Sequence, residues 1–190
     1  HGGTLFDRST HVQHGTINGA SWSRTRRGLI ANSFNGTSND VDFGNITPTA
    51  NFSILFWANP PDGDATYRIM FGKAGGGDPS RFQFTWSSGA WGFVYGNGQG
   101  AASVGALALN SWSMVGITVA GTAIRTFTNG AFIAAATAGP VTQSASKVYL
   151  AWNGTDSRFN GQLVIPIWVA RTLADVEVTR IYSHLKRFVG

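Results

Sequence analysis

Apolar and polar residues alternate at a period of two along most of this chain. That is the spacing of strands with one buried face. Phe52, Ile54, Phe56 and Ala58 share one face of a first run. Phe82, Phe84 and Trp86 share a face of a second, with Arg81, Gln83 and Thr85 opposite. Val115, Ile117 and Val119 make a third row, Val148, Leu150 and Trp152 a fourth, and Leu163, Ile165, Ile167 and Val169 a fifth. Glycine and proline punctuate the runs at Asn59-Pro60-Pro61-Asp62-Gly63, Gly75-Gly76-Gly77-Asp78-Pro79, Ser88-Gly89, Gly96-Asn97-Gly98-Gln99-Gly100 and Gly139-Pro140. Asn129-Gly130, between two apolar runs, predicts a type I′ hairpin, whose two central residues both need positive φ. The period changes once. Val178, Ile181, Tyr182 and Leu185 recur at helical spacing and predict a helix over 174–186 that packs its stripe on the sheets. Many short strands and one late helix predict an all-β, antiparallel two-sheet sandwich in a single domain spanning 1–190.

Composition narrows the function classes. At 190 residues and 43% hydrophobic content the chain can bury a sizeable core. Only 12% of residues are charged, so Ser, Thr, Asn and Gly must carry much of the surface. The net charge of +5 is scattered. Its one cluster, Arg24-Thr25-Arg26-Arg27, reads as a solvated turn. No strongly basic helix or RNA-binding strand motif is present, so nucleic acid is not an expected partner. No apolar run approaches the ~20 residues that span a bilayer, so membrane insertion is not expected. With no cysteine, the fold does not depend on disulfides.

Chemistry is sparse. The chain has nine acidic residues, and its single Glu, Glu177, falls on the predicted helix. Asp40 and Asp42 are same-face neighbours beside a loop. Hydrolysis of a glycosidic bond needs two carboxylates across it, and no such pair is evident. No G-x-S-x-G occurs to seat a nucleophilic serine. His1 reads as a tag or processing remnant rather than a copper ligand. Gly75-Gly76-Gly77 lacks the following Lys-Ser/Thr of a phosphate loop. No enzyme is expected.

Several segments together carry a resemblance. Leu5-Phe6-Asp7-Arg8-Ser9 and His14-Gly15-Thr16-Ile17 look like a D-x-S-G-x-x-x-x-G-x opening, and Phe52-Ser53-Ile54-Leu55-Phe56-Trp57-Ala58 like F-T-I-S-A-W-V. Trp112 to Thr118 is similar to W-x-x-V-x-x-T, and Thr128-Asn129-Gly130 to V-N-G. Phe159-Asn160-Gly161-Gln162-Leu163, then Ala170-Arg171-Thr172-Leu173, Glu177 and Ile181-Tyr182, follow the strand-to-helix signature F-x-G-x-I-D-x-V-x-I then N-R-A-L-S-x-x-E-I-x-x-L-Y. In order and spacing the chain resembles the laminin-G-like family of the concanavalin A-like lectin/glucanase superfamily, of the type frequent in bacterial and phage proteins.

The resemblance implies a concanavalin A-like jelly roll and a ligand on the concave sheet or its rim loops. Ala174 stands where the family has its helix-capping Ser, a loss of about 1 kcal/mol. The E-x-D-x-x-E strand of the sandwich glucanases is missing. Calcium is the metal the family suggests, with Asp40, Asp42, Asp62, Asp64 and Asp78 as candidate ligands. Val164 and Ile165 replace the usual acids of the last strand, however, so no cofactor is expected. The family's first strand, L-V-A-Y-W-P-F-D/E, has no counterpart before His1-Gly2-Gly3-Thr4. The strand 162–169 is therefore expected to be an open edge, and Pro166 suits one.

The functional expectation is a non-catalytic recognition module for a glycan or a protein surface. Its site would be built from outward-facing Trp57, Arg81, Gln83, Tyr149 and Trp168, since aromatic faces stack on sugar rings. The alternative is a phage virion structural protein, a head-decoration or tail component. Either way a homo-oligomer or larger assembly is expected, at a virion or cell surface.

Overall fold

The computed structural model describes residues 3–61, 66–73, 80–96, 102–137, 139 and 144–189. Along the chain run β1 (Thr4–Leu5), β2 (Gly15–Asn18), β3 (Ser21–Arg24), β4 (Ile30–Asn35), β5 (Asp40–Asp42), β6 (Asn51–Asn59), β7 (Arg68–Lys73) and β8 (Phe82–Ser87). Then come β9 (Ala90–Tyr95), β10 (Ala102–Ala106), β11 (Ser113–Ala120), β12 (Ala123–Thr128), β13 (Ala131–Thr137), β14 (Val148–Leu150), β15 (Asn160–Val169) and α1 (Asp175–Val189). Among the described residues the strands form two antiparallel sheets. One has eight strands in the order β1-β2-β5-β14-β7-β8-β9-β10, and the other seven in the order β13-β12-β11-β6-β15-β4-β3. The all-β, two-sheet antiparallel sandwich with one C-terminal helix is as the sequence pattern requires.

The main core lies between the sheets. Phe52, Ile54, Phe56, Val115, Ile117 and Val119 from the seven-stranded sheet face Phe71, Phe82, Phe84, Trp86, Phe93 and Tyr95 from the other. The rings of Phe56 and Phe84 meet edge to face, centroids 4.9 Å apart, an arrangement that suits the aromatic quadrupole. Asn129 and Gly130 both have positive φ, 51° and 79°, and close β12 onto β13 as expected. Gly130 is also a contact point. A Cβ there would lie 2.8 Å from that of Tyr182, so glycine lets α1 sit down on the hairpin.

A second apolar layer lies outside the sandwich. Leu55 and Trp57 of β6, with Met114, Phe127 and Val164, are covered by Val178, Ile181, Tyr182, Leu185 and Val189 of α1. The helix begins one residue later and ends three later than the periodicity predicted. The side-chain cap missing at Ala174 is offset by Glu177, whose Oε2 accepts the Ala174 N–H at 2.8 Å. Leu173 N–H donates to Ser53 Oγ at 2.9 Å, tying the helix entry to β6. The Arg24–Arg27 cluster forms the β3–β4 turn, with Thr25 donating to the Phe188 carbonyl at 3.2 Å.

Several strand pairs shift register, and two breaks in alternation move aromatic residues from one face to the other. In β15, Val164 pairs with Trp57 but Ile167 pairs with Leu55, so three residues advance against two. The extra residue falls at Ile165-Pro166, and Ile165 has φ 52°. A proline, with no N–H for the ladder, fits such a bulge. The bulge inverts the faces. Leu163 points into the sandwich, whereas Ile165, Ile167 and Val169 pack on the helix side. The expected single row of Leu163, Ile165, Ile167 and Val169 is therefore corrected. The expected open edge over 162–169 is corrected only at Gln162 and Leu163. β15 pairs with β6 on one side and, over Asn160–Leu163, with β4 on the other. Among the described residues, its part after Leu163 pairs with β6 alone.

Ala151 does the same beyond β14. It is buried with φ 65°, and donates its N–H to the Met70 carbonyl at 2.7 Å. The chain turns over there. Trp152 leaves the row of Val148 and Leu150 and goes to the outer face, where it packs on Tyr149.

Candidate functional site on the outer face of the eight-stranded sheet

Cross-strand pairing lines up one row across the outer face of the larger sheet: Thr16, Asp42, Tyr149, Gly72, Gln83 and Val94, on six successive strands. On β5, β14 and β8 the row follows from alternation, because the chain neighbours Val41, Val148, Phe82 and Phe84 are in the core; on β7 a register shift between Ile69 and Phe71 precedes Gly72. Gly72 makes a notch in the row. A Cβ there would stand 3.2 Å from both Asn153 Cβ and Gln83 Cγ, so its absence lets the loop after β14 settle on the sheet.

That loop organises the site. Asn153 Oδ1 accepts the N–H groups of Thr155 and Asp156 at 3.0 and 2.9 Å, an Asx turn. Asn153 Nδ2 donates to Asp156 Oδ2 at 2.6 Å, and Trp152 Nε1 to the Asp156 carbonyl at 2.9 Å. With its polar edge bound and Arg158 lying 3.8 Å over its ring, Trp152 is fixed in orientation. Tyr149 packs against it, ring centroids 4.8 Å apart. The two partly exposed rings form one aromatic surface.

Charges frame it. Arg158 Nη2 meets Asp40 Oδ2 at 3.1 Å, and Asn18 donates to the other Asp40 oxygen at 2.7 Å. Lys147 Nζ meets Asp42 Oδ2 at 2.7 Å. The Asp42 carboxylate raises the Lys147 pKa, first by this hydrogen bond and then by its charge. Partial burial raises the Tyr149 phenol, and Asp42 adds to the shift. On the far side of Gly72, Arg81 Nη2 donates to Gln83 Oε1 at 2.6 Å. Tyr67 lies beside the pair, its pKa raised by burial against the opposing pull of Arg81.

Among the described residues, no group of three or more His, Cys, Asp or Glu is placed to hold a metal. Asp40 and Asp42, the described members of the calcium set, each contact a cation instead. Asp62, Asp64 and Asp78 lie outside the described residues, as do Gly75-Gly76-Gly77 and His1. Among the described residues, no helix is long and apolar enough to cross a membrane.

A laminin G-type family model, described as the concanavalin A-like lectin/glucanases superfamily, matches residues 35–178. The chain belongs to that superfamily. Solved structures share the fold. Trypanosoma rangeli sialidase is similar over 100% of this chain, with TM-score 0.74 and 15% identity, and the chain spans only 32% of that enzyme. Domain 4 of AbnA, a GH43 extracellular arabinanase from Geobacillus stearothermophilus, solved in complex with arabinotriose, is similar over 88% of this chain and 87% of its own, with TM-score 0.67 and 18% identity. The binding domain of Paraclostridial Mosquitocidal Protein 1 is similar over 94% of this chain and 49% of its own, with TM-score 0.72 and 12% identity. Among curated proteins no sequence matches significantly. At these identities the likeness speaks to the fold.

On this lectin/glucanase-type sandwich, three of the five expected site residues come together: Tyr149, Gln83 and Arg81. Gln83 is fully buried there, roofed by its neighbours. The two tryptophans do not join them. Trp57 is on an outer face as expected, but of the other sheet, and α1 covers it to 3% exposure. Trp168 is turned into the sandwich by the β15 bulge and packs against Phe82, centroids 5.4 Å apart. Trp152 and Arg158 were missed. The polar run Asn153-Gly154-Thr155-Asp156 was the available sign that a loop, not a core strand, follows Leu150.

Proposed function

We propose that this module binds glycans, without catalysis, through the outer face of its eight-stranded sheet. The observation that carries the reading is the Tyr149–Trp152 surface, fixed by Arg158 and Asp156 and bordered by polar groups of both signs. Aromatic rings offer the apolar faces of sugars a stacking surface, and the flanking groups reach ring hydroxyls. Asp40 and Asp42 contribute by orienting Arg158 and Lys147, each held in an ion pair. The arabinotriose complex of the arabinanase domain supports the sugar class by likeness.

The test is a glycan array followed by calorimetric titration of the best hit. Trp152→Ala and Tyr149→Ala should each weaken binding about tenfold or more and leave the unfolding transition nearly in place. Unchanged affinity in both variants would refute the reading.

A second reading, assembly with further copies or a larger body, is favoured by β13. Ala131-Phe132-Ile133-Ala134-Ala135-Ala136-Thr137 is an edge strand of the seven-stranded sheet with no charge and no proline. Phe132 and Ile133 are 43% and 44% exposed. Such an edge is a template for adding a strand. Sedimentation at tens of micromolar should show self-association that Ile133→Lys abolishes; a monomer throughout would remove this reading and leave the glycan reading standing.

A further inference from the structure

The outer face of the seven-stranded sheet is only half covered. Where α1 stops, a second register-aligned row begins: Asn59, Gln162, Ser33 and Ser21 are direct neighbours on β6, β15, β4 and β3. Beside this row opens a cavity of about 300 Å³, lined by Ser33, Asn59, Pro61, Asn110, Asn160 and Gln162. Among its described lining residues there is no charged side chain and no histidine.

The amides are partly linked to one another. Asn59 Nδ2 donates to Gln162 Oε1 at 3.0 Å, and Gln162 Nε2 donates to Ser23 Oγ at 2.9 Å. Among the described residues the chain of bonds ends at Asn59 Oδ1, which is screened from solvent and accepts no hydrogen bond. Asn110 has φ 53°, and its backbone N–H donates to the Pro60 carbonyl at 2.8 Å, which fixes the residue beside the cavity.

We propose that this cavity is a second ligand site, on the face opposite the aromatic surface, and that it takes a neutral sugar residue. Amides and a serine hydroxyl both donate and accept, and so do sugar hydroxyls, so each can satisfy the other in either direction. A charged ligand would be desolvated against a wall without a counter-charge, which is unfavourable. The volume lies at the lower end of the roughly 300–1,000 Å³ of small-molecule sites, matching one or two sugar rings. The site rests on its own residues and stands or falls apart from the aromatic face.

Titration of the intact, ¹⁵N-labelled chain with arabinotriose, neutral galacto-oligosaccharides and, as the charged control, oligogalacturonate tests it. With a neutral probe, the side-chain amide signals of Asn59, Asn110, Asn160 and Gln162 should move and saturate. Trp152→Ala should leave those movements intact. Asn110→Ala and Asn160→Ala should each weaken them about tenfold, the loss of one or two hydrogen bonds, with the rest of the spectrum unchanged. The proposal is overturned if no neutral probe moves these signals by concentrations on the order of 10 mM. It is equally overturned if the charged control moves them as strongly, or if shifts appear only around Tyr149 and Trp152.

Discussion

The indole of Trp57 lies against the ring of Tyr182, centroids 5.5 Å apart and planes 22° from parallel. An aromatic residue that alternation places on the outer face of β6 is thereby made part of the core by the helix. Tyr182→Ala should uncover it. The expected loss of stability is about 2–3 kcal/mol, near the lower end for truncating a large core side chain because Tyr182 is itself only half-buried. Urea midpoints with tryptophan emission as the probe give the value, and the indole emission of the native variant should shift to the red.

The left-handed backbone at Ala151 makes that position sensitive to branching. Ala151→Val adds volume in a closed site and puts a β-branched residue at positive φ, together about 2–4 kcal/mol destabilising. Ala151→Gly relieves the backbone but loses a buried methyl, and should fall within about 1 kcal/mol of the wild type. Denaturant unfolding of both variants checks the pair.

Acid should weaken the helix entry in one defined window. The Glu177 carboxyl is held down to about 2 by the Arg171 guanidinium first and the Ala174 N–H second. A folded-state pKa below the unfolded value gives stability that is present above the ordinary carboxylate range near 4.5 and disappears as pH falls through about 2. Wild type should therefore exceed Glu177→Gln in stability at neutral pH, with the gap closing below pH 4.5. Thermal midpoints against pH for the two proteins decide it.

Alkali acts on a different residue. Burial pushes the Tyr95 phenol up to about 12, and its hydroxyl has no hydrogen-bond partner among the described residues. Here the folded pKa lies above the unfolded value near 10, so the contribution is complete below pH 10 and is lost as pH rises through about 12. Tyr95→Phe should resist alkaline unfolding better than the wild type. At pH 7 it should be equal or slightly more stable, because an unsatisfied hydroxyl is removed from the core.

The sheets were legible wherever one residue in two is apolar. Phe82, Phe84 and Trp86 point inward and Gln83 outward because β8 keeps its period from end to end. Asn129-Gly130 was legible because only a few dipeptides accept two positive φ values. Trp152 and Trp168 were misassigned for one shared cause. A single residue, at Ala151 or in the β15 bulge, takes an unusual φ, and neither alanine nor isoleucine advertises this as glycine would. Trp57 failed for another reason. Its face was read correctly, but the helix stripe Val178, Ile181, Tyr182 and Leu185 announces that it will cover something without saying which strand. The hint lay in β6 itself, whose Phe52-Ser53-Ile54-Leu55-Phe56-Trp57-Ala58 is apolar on both sides, the pattern of a strand covered twice. Arg158, distant in sequence from Asp40, became a site residue only through the fold.

The reversal at Ala151 has an evolutionary meaning too. Along a strand, every residue belongs to one of two sides, so loss or gain of a single residue acts on the surface as a frameshift acts on a message. Adding one residue between Ala151 and Trp152 would retract Trp152 into the interior, erasing the aromatic surface with no substitution at either ring. In a sandwich of this kind a one-residue change in length can thus expose or bury an aromatic side chain. Comparisons that track only which aromatics are retained will overlook the event, and alignments of this part of the fold should be judged by the side each residue occupies.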